Sequence, residues 1–108
     1  MNWIKHWIEV IEKRPGMYLG ENYDIDKLEA FIFGYFAALE DNNIKPISQE
    51  QNEYINNFDV WLRKKAGLGE NGMGWAALVK FLTPKEKNSL EQLFELKKQY
   101  EKECLINL

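Results

Sequence analysis

Three observations predict an all-α fold, a compact bundle of about five helices in one domain spanning residues 1–108. Apolar residues recur at helical spacing in five separate segments. No stretch alternates apolar and polar residues between hairpin turns, so a sheet lacks raw material. The 108-residue chain is 45% hydrophobic and 14% aromatic, which supplies one modest core, and no linker divides it.

In the first segment Trp3, Ile4, Trp7, Ile8 and Ile11 share one face of a helix over about residues 2 to 13, which Pro15-Gly16 stops. Asp26, with Glu29 three residues on, reads as a capping-box start for the second helix. Its face of Leu28, Phe31, Ile32, Tyr35, Phe36 and Leu39 runs through Asp41. Gly34 costs that helix about 1 kcal/mol relative to alanine, and close approach of a neighbouring helix is the expected reason. After the polar turn "NNIKPISQEQ", Ser48 and Gln51 fit another capping box. Tyr54, Ile55, Phe58, Trp61 and Leu62 then form a face, and Gly67 ends the third helix. Trp75, Leu78, Val79 and Leu82 mark the fourth. "TPKE" places Thr83 at the N-cap, Pro84 at the first helical position and Glu86 where it can return to the cap. Leu90, Leu93, Phe94 and Tyr100 mark a fifth helix to about residue 104.

The residues that carry most chemistry are sparse. One cysteine, Cys104, and one histidine, His6, can form neither a disulfide nor a Cys/His metal cluster, and neither has a partner for nucleophilic catalysis. Asp24 and Asp26 could together do acid and base work, but helix capping explains Asp26 more simply. Asp59 and Arg63 are spaced for an i, i+4 pair. The expectation is therefore a protein that is not an enzyme and takes no cofactor, metal or small-molecule substrate. No apolar run reaches the roughly 18 residues of a membrane span, and charges interrupt the start "MNWIKHWIEVIEKR", unlike a signal peptide. A cytoplasmic location is expected.

The net charge of -3 hides an asymmetry. From Tyr18 to Leu62 there are nine acids against two bases, a net of -7, whereas the flanks are net positive. Such an acidic middle argues for a basic partner and against nucleic-acid binding there.

Two glycine-bearing runs need separate weighing. "GLGENGMG" contains the Gly67-x-Gly69-x-x-Gly72 spacing of a dinucleotide-binding turn, but it follows the helical "DVWLRKKA" rather than a strand. Its glycines are better suited to capping the third helix. "KRPGMYLG" resembles the "RPGMYIG" segment of the ATPase domain of the DNA gyrase B subunit. In that family a following helix ends in a Glu-x-x-x-Asn pattern. Here Asp41-Asn42 falls near the asparagine, Ala38 occupies the place of the glutamate, and the downstream Asp-x-Gly-x-Gly is missing. A phosphate-hydrolysing site without its base, its adenine ligand and its strands is not a site. The run reads instead as a folded corner. Pro15-Gly16 breaks the first helix, Met17, Tyr18 and Leu19 lie on the bundle as an apolar plug, Gly20 releases the chain, and Arg14 pairs with helix-end carbonyls or an acid of the second helix.

"RPGMYLG…LEAFIFGYFAAL", then "GWAALV" before a last amphipathic helix, also resembles small all-helical immunity proteins of bacterial toxin and immunity pairs, including contact-dependent inhibition systems. The resemblance spans most of the chain and implies a cognate toxin domain as partner. Nuclease toxins are commonly basic because they hold phosphates, so their inhibitors should be acidic. The expected contacts are Glu21, Tyr23, Asp24, Glu40, Asp41 and Glu70, chosen for charge and exposure, with aromatic anchors at the corner between the first two helices. An adaptor or regulator of another basic protein is the alternative, and a nucleotide binder a weaker one.

Overall fold

A computed structural model describes residues 3–42, 49–69 and 72–106. Six helices follow one another: α1 (Trp3–Lys13), α2 (Pro15–Leu19), α3 (Ile25–Asp41), α4 (Gln49–Ala66), α5 (Trp75–Phe81) and α6 (Ser89–Ile106). No strand occurs among the described residues. The short α5 is the hub. It packs against α3, α4 and α6, and buries Ala76, Leu78 and Val79. Around it the core takes Ile8 and Ile11 from α1, Ile25 and Leu28 from α3, and Phe58 and Leu62 from α4. Leu90, Leu93, Phe94, Leu96 and Tyr100 of α6 complete it. All but Ile25, Ala76 and Leu96 belong to the apolar stripes expected from the spacing, and burial of this core is the main force that holds the bundle.

The sixth helix is α2, one turn where a bare corner was expected. Proline lacks an N–H and holds φ near the helical value, so Pro15 starts a turn as readily as it ends α1. Gly20 closes it in the left-handed region, with φ 89°, and its N–H donates to the Gly16 carbonyl at 3.0 Å. Tyr18 and Leu19 pack on the core as expected, but Met17 is 69% exposed and is no plug. Arg14 is exposed and makes no ion pair with an acid among the described residues.

Two helix starts differ from expectation. α3 is capped by Asp24, whose Oδ1 accepts from the Lys27 N–H at 3.0 Å, while Asp26 instead pairs with Lys80 of α5. Thr83 does not start α6. Its hydroxyl donates to the Val79 carbonyl at 2.6 Å and closes α5, and Pro84 to Lys87 form a turn. The cap of α6 is Asn88, whose Oδ1 accepts from the N–H groups of Leu90 at 2.8 Å and Glu91 at 3.3 Å. Asparagine is as good a cap as threonine, and the turn before it leaves Asn88 free to hold another segment as well. The Ser48 start of α4 lies outside the described residues.

The end of α4 follows the glycine reading. Gly67, φ 70°, donates to the Lys64 carbonyl, and the Leu68 N–H reaches back to Arg63, the pair of bonds of a Schellman motif. Arg63 bonds Asp59 at 3.1 Å, as expected, and also the Met73 carbonyl at 2.7 Å, which ties α4 to the run before α5. Gly34 differs. It is exposed, and a Cβ there would meet no atom within 4 Å, so no neighbouring helix approaches it.

Candidate protein-docking surface

The corner is built on an aromatic floor. Trp7 of α1 meets Tyr18 of α2 edge-on at 6.1 Å, and Phe31 and Tyr35 of α3 at 5.2 and 5.4 Å. Such edge-to-face pairs each add about 0.5–1.5 kcal/mol beyond their burial, so α2 is held against α3 by rings rather than by charges. The loop from α2 to α3 is fixed from below by α6. Asn88 Nδ2 donates to the Tyr23 carbonyl at 2.8 Å, and the Ile25 N–H donates to Ser89 Oγ at 3.0 Å. The segment is thus pinned on both sides of Asp24 by the consecutive residues Asn88 and Ser89.

The expected contact residues do not form one patch. Glu21, Tyr23 and Asp24 sit at the N-terminal end of α3, with Glu21 exposed and the other two half-buried. Glu40 and Asp41 are exposed at its C-terminal end. At 1.5 Å per residue the two groups are about 24 Å apart along the helix. Glu70 lies outside the described residues. Asp24 is also committed to its capping bond, so its carboxylate has less to offer a partner than its charge suggested. Glu21, Glu40 and Asp41 have no ion-pair partner among the described residues.

Two exposed apolar side chains were absent from the expected contacts. Phe33 is 70% exposed on α3, and Met17 69% exposed on α2. The signal for Phe33 was present, because it falls outside the register of Leu28, Phe31, Ile32, Tyr35, Phe36 and Leu39. From residue 28 to residue 39 the exposed positions of α3 are Ala30, Phe33, Gly34, Ala37 and Ala38.

Elsewhere the titratable groups serve packing. Lys97 of α6, almost fully buried, lies 3.1 Å from Glu101 and 3.7 Å from Glu9 of α1, and Lys5 lies within 4.0 Å of the same two acids. Tyr54 and Tyr100 are both pushed above the usual phenol range. Burial is the largest cause for each, and Tyr100, raised to about 12, also feels its hydrogen bond with Cys104. Cys104 itself is exposed, and His6 meets Trp7 edge-on. No group of three His, Cys, Asp or Glu side chains arranged to hold a metal occurs among the described residues. Nor is any helix long and apolar enough there to cross a membrane.

Neither a protein-family model, a curated protein nor a solved structure matches the chain.

Proposed function

We propose that the protein is an immunity protein that binds a cognate bacterial toxin domain, a basic nuclease, in the cytoplasm and neutralises it by covering its active-site cleft. The observation that carries the reading is the acidic middle of the chain, and within it the exposed carboxylates of Glu21, Glu40 and Asp41, which have no ion-pair partner among the described residues. Unpaired surface carboxylates cost a protein self-repulsion, and a basic partner converts that repulsion into attraction and faster association. Phe33 and Met17 add apolar contact beside them, and buried aromatics are frequent anchors of such interfaces. The resemblance of "RPGMYLG…LEAFIFGYFAAL" to immunity proteins points the same way.

A secreted protein with a toxin-like C-terminal domain encoded immediately upstream is the expected neighbour of such a gene, and the test is co-expression with that domain. Rescue of growth, together with a 1:1 complex whose formation weakens with salt, supports the proposal. Failure of the purified protein to bind or inhibit that domain would leave the adaptor reading in its place.

A further inference from the structure

We draw no further inference here: the strongest candidate, the open cleft beside the C-terminal end of α4 that Trp61, Lys64, Lys65 and Glu103 line, has its Lys65 over the Trp61 ring and its Glu103 bonded to the Trp61 indole N–H, and nothing in the structure shows what would fill it.

Discussion

Asn88 does two jobs with one amide. Its oxygen caps α6 and its nitrogen holds the Tyr23 carbonyl, so the start of a principal core-forming helix and the corner loop share a residue. Asn88→Ala should lower stability by about 2 kcal/mol, roughly 1 for the cap and 1 for the stranded carbonyl. Asn88→Asp, which keeps the acceptor and loses the donor, should fall between. Thr83→Ala should cost less than either, because only the bond to Val79 is lost. Urea unfolding of the three variants checks the order, and a larger loss for Thr83→Ala would contradict the placement of the cap. Gly34→Ala should raise stability by about 0.5–1 kcal/mol, read by the same method. That glycine shows how far the sequence is legible at this scale. Its cost to a helix can be read from residue type, but which face it occupies follows only from its angle relative to Ala30 and Ala37, on the side away from Leu28 and Ile32.

Among the elements, the apolar stripes of α1, α3, α4, α5 and α6 were legible because burial imposes the helical period on the sequence directly. The start of α6 was not, because "TPKE" and "KNSLE" both carry capping chemistry and only the position of Tyr23 favours the second. α2 was hidden for a related reason. A single turn has no period to read, and Pro15 signals the end of one helix and the start of another equally well. The join of α1 to α6 was also invisible, since Lys5, Glu9, Lys97 and Glu101 look in sequence like solvated charges. Lys97→Met should cost about 1–2 kcal/mol, less than a fully buried broken pair, because the acids are partly exposed and Lys5 still faces them. Hydrogen exchange should show the loss first in the amides of α1. Uniform loss across all six helices would mean that the network stabilises the whole bundle rather than the docking of α1. The buried tyrosines give a second test at this scale. Tyr54 and Tyr100 are neutral in both folded and unfolded chains below pH 10, so their contribution is complete there. As pH rises, the unfolded chain ionises first, and stability should fall from about pH 10 to about 12, where Tyr100 titrates in the fold. Replacing both by phenylalanine should flatten that part of a stability profile; an equal fall in the double variant would assign it to other groups.

For the whole molecule, the acidic middle was legible as a count, and its division between the two ends of α3 was not, because charge along a sequence does not say how far apart its members stand. That separation makes the steering mechanism testable in a particular way. About 24 Å along α3 divides its start, where Glu21 lies in the preceding turn, from Glu40, which is several Debye lengths at physiological salt, about 8 Å each, but less than the roughly 30 Å at 0.01 M. At physiological salt a basic toxin should feel only the end of α3 nearest its docked position. In dilute salt it should feel both. Glu21→Lys and the pair Glu40→Lys/Asp41→Lys should therefore both slow association at low salt, while at physiological salt one of them should slow it much more than the other. Asp24 is left intact in this comparison because its capping bond would confuse stability with steering. Stopped-flow association with the cognate toxin domain at the two salt concentrations reads the result directly. The variant that still matters at physiological salt marks the docked end. Unchanged on-rates for both variants at low salt would sink the link between the acidic middle and the partner, since a field that fails to steer where screening is weakest does not steer at all.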